Sequence, residues 1–301
     1  MPATEPCDRP GRDRIGGGAT PGLALHIAQG ELSEQEQEIV LQIKRRVHER
    51  VGLFCEGYKQ RCFRRRLAVR LRASRARTLD EYLALLDRDD AEYARLVAAV
   101  MINVSKFFRN PEVWQVLRDR TLPDLLDRFS GGLRLWSAGC AGGEEAYSLA
   151  IVLLELATER GEAAAAAQHT ILATDLEPAV LAHAREARFD EAALSETEAA
   201  VRRRWFTPGP PFVLDPAAQA LVRFEERDLI RDRPPQRQHL ILCRNVLIYL
   251  ERPIQEALFE AFRESLHPGG YLVLGKVETL TGARVAGFET VVARERIYRR
   301  V

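Results

Sequence analysis

The chain has 301 residues, room for one large domain or two smaller ones, and its 44 basic and 43 acidic residues leave a formal net charge of +1. That balance argues against a dedicated nucleic-acid binder, and no apolar run is long enough to span a membrane or opens the chain as a signal peptide. Five scattered cysteines (Cys7, Cys55, Cys62, Cys140, Cys243) form no CxxC pair, so no metal site is expected and the reduced thiols of a cytoplasmic protein fit.

Residues 1 to about 30 are rich in Gly, Pro, Arg and Asp, lack periodicity and read as a disordered tail. From Ser33 the pattern turns helical. Ser33 and Glu36 make a capping box, followed by Ile39, Val40, Ile43 and Val47 at helical spacing, and Gly52 ends the helix. Tyr58 to Ala73 predicts a second helix, Thr78 with Glu81 caps a third, and Tyr93 to Met101 predicts a fourth. Residues 31–102 thus read as a small all-α domain.

The second of these helices carries Lys59, Arg61, Arg64, Arg65, Arg66, Arg70, Arg72, Arg75 and Arg77 with almost no acid between them. Arginine stems can cover apolar surface, but a face of one sign at this density reads better as a docking surface for an acidic partner. Charge reversal at Arg64, Arg65 and Arg66 is therefore expected to weaken docking.

The segment Asn103 to Arg109, NVSKFFR, leads into residues 103–301, where strands and helices alternate. Phe107 and Phe108 read as core anchors; Asn103, Ser105 and Arg109 around them suit a ligand site at a domain junction. Leu133 to Ala150, LRLWSAGCAGGEEAYSLA, is a strand, a glycine-rich turn and a helix, the nucleotide-binding corner of an α/β sheet. Glu144 and Glu145 open its helix. They would repel a phosphate there and attract a cation, which favours S-adenosyl-L-methionine, with its sulfonium and ammonium, over a dinucleotide.

A second buried strand ends at Asp175, an acid placed to accept hydrogen bonds from ribose hydroxyls. Residues from about 188 to 227 lose the α/β rhythm and read as an inserted β subdomain, with β-like runs at Phe212 to Leu214 and Leu221 to Phe224. The sheet resumes at Leu240 to Cys243 and ends in Arg244-Asn245 at the carboxyl edge, where open α/β sheets bind ligands. Pro253 to Leu266 predicts a helix, His267 to Gly270 a turn, Tyr271 to Gly275 a strand, and Phe288 to Arg299 a closing antiparallel hairpin. A mostly parallel sheet covered on both faces follows.

NVSKFFR, LWSAGCAGGEEAYSLA, ILATDLEPAVLAHA, LCRNVLIYL and GGYLVLGKVETL, in that order, resemble the chemotaxis receptor methyltransferases, the CheR family, from about residue 33 onward. The resemblance implies an N-terminal helical domain and a Rossmann-like methyltransferase domain with a small inserted β subdomain. It also implies S-adenosylmethionine as methyl donor, S-adenosylhomocysteine as product, and receptor glutamates as acceptors. On the matching motifs, Asn103, Ser105, Arg109, Glu144, Asp175, Asp228, Leu229, Arg244 and Asn245 would contact the cofactor, and Tyr249 would lie near the transferred methyl. Ser105 replaces the family's usual Thr and keeps the hydroxyl. Asp228 replaces its Asn and loses the amide donor.

A glutamate acceptor is already ionised at pH 7, so the reaction needs no general base. On this reading Arg109 and Arg244 draw the carboxylate in and Tyr249 aligns it. The arginine-rich helix then meets the acidic helical region of cytoplasmic receptor domains, and the protein is expected to act as a monomer. Two other readings are a catalytically silent module that binds acidic helices and a nucleic-acid methyltransferase. The intact Glu144, Asp175, Arg244 and Asn245 argue against the first, and the lack of a base-binding motif argues against the second.

Overall fold

The computed structural model describes residues 21–51, 53–74, 76–101, 103–280 and 287–301. Residues 1–20, Gly52 and Arg75 lie outside them, so most of the predicted tail and the predicted helix stop are not described. Two compact units emerge: residues up to 50 with 60–101, and residues 51–59 with the chain from 102 onward.

The first unit is all-α: α1 (Pro21–Gln29), α2 (Glu34–Val51), α3 (Gln60–Ala73), α4 (Leu79–Arg88) and α5 (Asp90–Val100). The predicted caps form. Glu36 N–H donates to Ser33 Oγ at 3.2 Å while Ser33 N–H donates back to the Glu36 carboxylate at 2.8 Å, and Glu81 N–H donates to Thr78 Oγ1 at 3.1 Å. Ile43, Val47, Phe63, Leu67, Leu71, Leu86 and Leu96 are buried along the inner faces of these helices. Inside the bundle, Arg70 grips the buried Glu92 with two bonds (3.0 and 2.7 Å), and the Tyr82 hydroxyl donates to the same carboxylate at 2.9 Å.

Three expectations need correction here. Pro21 to Gln29 is a helix rather than a tail: α1 packs on α3, and Arg64 donates to the carbonyls of Ile27 (2.7 Å) and Gly30. Arg64 therefore joins two helices and does not belong to a free basic face. Tyr58 and Lys59 precede α3 instead of opening it.

The second unit begins with residues 53–59. After the 103–109 segment come α6 (Pro111–Val116) and α7 (Leu122–Arg128), joined by a widened helical turn, then β1 (Arg134–Ala138), α8 (Glu144–Glu159), β2 (Thr170–Asp175) and α9 (Pro178–Glu186). Next are β3 (Arg188–Phe189), α10 (Ala199–Trp205), β4 (Phe212–Val213), α11 (Pro216–Ala220) and β5 (Val222–Glu226). The chain closes with β6 (Gln238–Cys243), α12 (Arg252–Ser265), β7 (Leu266–Leu274), β8 (Phe288–Val292) and β9 (Ile297–Arg300).

The seven-stranded sheet runs β5-β2-β1-β6-β7-β9-β8, with β5 to β7 parallel and β8 and β9 antiparallel. Successive residues of its central strands point to opposite faces and feed separate apolar clusters. Leu135, Leu240, Leu242 and Val273 join the cluster that includes α6, α7 and α8. Trp136, Ile241, Cys243 and Leu272 join the one that includes Leu258, Phe259 and Phe262 of α12. Both faces of β6 are buried, which is why it reads as an unbroken apolar run. The chain moves outward from β1 through β2 to β5 and then returns to β6 on the far side of β1. The strand order thus reverses between β1 and β6, and the carboxyl edge opens there as a ligand crevice.

β5 corrects the predicted insertion. Val222 to Glu226 is the edge strand of the main sheet, paired in parallel with β2, so the insertion ends before it. What remains is the two-stranded β3–β4 sheet with its short helices. The predicted turn at His267 to Gly270 lies within β7.

Candidate active site

At the crevice, β1 ends in a turn tied to the end of β2. The N–H groups of Gly139 and Cys140 both donate to the Thr174 carbonyl (2.8 and 2.9 Å), and Ala141 N–H donates to Asp175 Oδ2 at 3.0 Å. Asp175 also accepts from Glu177 N–H at 3.2 Å. Burial pushes its pKa up while these backbone bonds pull it down. The predicted ribose acid is thus buried at the tip of β2, with its orientation set by the glycine corner.

Glu144, the first residue of α8, folds its carboxylate back over that turn. A Cβ at Gly142 would stand 2.8 Å from one of its oxygens, so a larger residue there would have to displace the carboxylate. Glu144 Oε2 is buried and has no hydrogen-bond partner among the described residues. Burial, helped by the Asp190 carboxylate, pushes its pKa up to about 7. It faces a cavity of about 660 Å³ lined also by Asn103, Ser105, Arg188, Asp190 and Pro211. A buried carboxylate oxygen without a partner, beside such a space, is suited to a cation.

The neighbouring Glu145 is paired instead. It accepts from Ser137 Oγ at 2.8 Å and forms a buried ion pair with Arg244 at 3.4 Å. Arg244 also donates to the Arg109 carbonyl (2.8 Å) and to Asn110 Oδ1 (3.2 Å). The expectation that Arg244 draws in an acceptor carboxylate is therefore corrected: its guanidinium ties the end of β6 to α8 and to the 103–109 segment.

Within that segment Phe107 is fully buried, edge-on to Phe189 and Phe206 at 4.7 and 4.9 Å. Phe108 N–H donates to Ser148 Oγ of α8 at 3.0 Å. These anchors hold Asn103, whose amide donates to Glu177, and Ser105 at the cavity wall. Arg109 is half-buried and donates at 3.3 Å to the carbonyl of Val104, a residue that lines the same cavity.

Beyond β5, Asp228 Oδ1 accepts from Ile230 N–H at 2.8 Å in an Asx turn, so part of its carboxylate shapes its own loop; Leu229 packs on the α12 side of the sheet. Asn245 has a left-handed backbone (φ 62°), and its N–H donates to Glu278 at 2.9 Å. Tyr249 is half-buried in the short turn Leu247–Tyr249. Glu278 went unread in the sequence. This buried acid also accepts from Gly275 N–H (2.6 Å) and Ile248 N–H (3.1 Å) and fixes the loop that carries Asn245. The only signal for it was an acid just past a buried strand.

The structure therefore gathers Asn103, Ser105 and Glu144 around one cavity and links Arg109, Arg244 and Asn245 along the crevice. Asp175 ends β2, and Asp228 and Leu229 stand on the loop after β5. The residues fit S-adenosylmethionine: a buried acid with one oxygen left open among the described residues suits its ammonium, a strand-end acid suits its ribose, and acids rather than phosphate donors open the helix. Fold and site are those of an S-adenosylmethionine-dependent methyltransferase domain.

Sequence comparisons with known proteins agree. Residues 103–297 match the CheR methyltransferase SAM-binding domain, and residues 40–101 match the CheR methyltransferase all-alpha domain. The chain is 34% identical to the chemotaxis protein methyltransferase of Listeria innocua, over 80% of this chain and 90% of that protein. It is 31% identical to the probable chemotaxis protein methyltransferase of Rhizobium etli, over 81% of this chain and 94% of that one. Among solved structures, the S-adenosylmethionine-dependent methyltransferase SibL in its apo form is 17% identical over 78% of this chain and 54% of its own, with a TM-score of 0.32. The chain belongs to the CheR methyltransferase family, with S-adenosylmethionine as its cofactor. None of its described helices is long and apolar enough to cross a membrane.

Proposed function

We propose that this protein methylates glutamate side chains of chemoreceptors, giving γ-methyl esters in chemosensory signalling. When bound, S-adenosylmethionine supplies an electrophilic methyl group that an ionised carboxylate oxygen can take up without a general base. The chain's own residues position and shield. Glu144 and Asn103 hold the methionine end, Asp175 the ribose, and Asp228 and Leu229 border the adenine. Glu145, Arg244 and Glu278 fix the loops around them.

The observation that supports the acceptor assignment is the bond from the Arg109 guanidinium to the carbonyl of Val104, which lines the cavity together with Glu144. A cation at that position suits an incoming carboxylate, and orientation of this kind is worth roughly 7–11 kcal/mol of barrier. Tyr249 contributes alignment at the opposite loop.

Partner choice falls to α3. Arg61, Arg65 and Arg72 are exposed at helical spacing beside the exposed Val69, and none of the three arginines makes an ion pair among the described residues. Such a stripe suits the acidic helical region of receptors, which the protein would meet as a monomer. Incubation with methyl-labelled S-adenosylmethionine and receptor cytoplasmic fragments tests the whole reading. Label that mild alkali releases as methanol and that maps to glutamate supports it; alkali-stable label refutes it.

A further inference from the structure

Residues 53–59 lie in sequence between α2 and α3, yet they pack with the α/β unit. Their far end is stitched to the turn that carries Tyr249. Lys59 N–H donates to the Tyr249 carbonyl at 2.8 Å, Glu251 N–H donates to the Gly57 carbonyl at 2.8 Å, and Tyr58 and Leu250 form an antiparallel bridge. The Lys59 ammonium adds a bond to the Ile248 carbonyl at 2.9 Å. At the near end the Arg231 guanidinium lies 5.8 Å from the centre of the Phe54 ring. Arg231 belongs to the Asx-turn loop of Asp228 and Leu229. The segment is packed tightly between these anchors: a Cβ on Gly57 would come within 2.9 Å of the Phe54 ring.

These seven residues therefore span from the loop assigned to adenine to the turn assigned to the methyl group. Tyr58 sits between the anchors, half-buried against the α12 side of the sheet. Burial raises the pKa of its phenol, helped by the nearby Cys55, Asp175, Asp228 and Tyr249. It is a protonated donor with an aromatic face, among the side chains assigned to the ribose and adenine.

We propose that residues 53–59 wall the nucleoside half of the cofactor pocket and that the Tyr58 hydroxyl is a cofactor-binding group there. The proposal rests on the cofactor assignment and adds a residue from outside the SAM-binding domain's sequence span.

Calorimetry on the full chain tests it, with S-adenosylhomocysteine and with 5′-methylthioadenosine, which keeps the nucleoside but lacks the amino-acid end. Tyr58→Phe, shown to be folded by a thermal melt, is expected to weaken both ligands by a similar factor, roughly three- to tenfold for one lost hydrogen bond. In turnover the KM for S-adenosylmethionine should rise while kcat holds. Wild-type affinity for both ligands in Tyr58→Phe overturns the proposal. So does a loss confined to S-adenosylhomocysteine, which would place the effect at the amino-acid end. If the wild-type chain binds neither ligand, the cofactor assignment falls, and this proposal with it.

Discussion

Glu144 and Glu145 are consecutive and both buried, but one has an oxygen without a partner among the described residues and the other is locked to Ser137 and Arg244. The helical repeat turns neighbouring residues about 100° apart, so two adjacent acids can serve a ligand site and a structural strut. Substituting each one separates the two roles.

Glu144→Gln should raise the Kd for S-adenosylhomocysteine about 10- to 100-fold, the range for one charge-assisted bond, and leave the fold intact. Calorimetry and a thermal melt check this. A melting temperature that falls as steeply as affinity would contradict it.

The same carboxylate sets a pH dependence. Its folded pKa of about 7 lies above its ordinary value of 4.5, so the unliganded fold holds a proton there that the unfolded chain has released. Its contribution to stability is fully present below about pH 4.5 and is lost as pH rises through about 7. Cofactor affinity runs the other way, weakening as the pH falls below about 7, because the ammonium needs the charged form. Both trends should be missing in Glu144→Gln, as titration calorimetry from pH 5.5 to 8.5 would reveal.

Glu145→Gln breaks a buried ion pair and leaves the Arg244 guanidinium uncompensated. A loss of about 3–5 kcal/mol of stability is expected. Urea unfolding reads it, and a change under about 1 kcal/mol would mean that the pair is solvated in solution.

Phe107→Ala removes a fully buried ring that fills the space between Phe189 and Phe206. It should cost about 3–5 kcal/mol and weaken cofactor binding as well, because the same segment carries Asn103 and Ser105.

Reversing Arg61, Arg65 and Arg72 to Glu should raise the KM for receptor fragments about tenfold or more at low salt, with S-adenosylhomocysteine affinity unchanged. The difference should shrink at high salt. Arg64 stays out of this set because it bonds to Ile27 and Gly30; reversing it would loosen α1 and confuse folding with docking.

The glycine corner, Asp175 and the parallel core were legible because each is local: a strand, a turn and a helix within about twenty residues, or an unbroken apolar run. The run at Leu221 to Phe224 reads as β-like but falls by its pattern with the insertion, because β5 is a half-exposed edge strand ending in two acids and lacks the apolar signature of a strand inside the sheet. α1 escaped because it is short and lies between a proline and a glycine, and its stability comes from packing on α3. The roles of Arg244 and Tyr58 depend on residues more than 90 positions away in the chain, which no local pattern encodes.

On the proposed assignment, a carboxylate that pairs with an ammonium is blind to what happens at sulfur. Donation of the methyl leaves the amino group as it was, so Glu144 would hold the spent molecule as firmly as the fresh one. Turnover would then follow the ratio of the two, and whatever clears the demethylated form would set its pace.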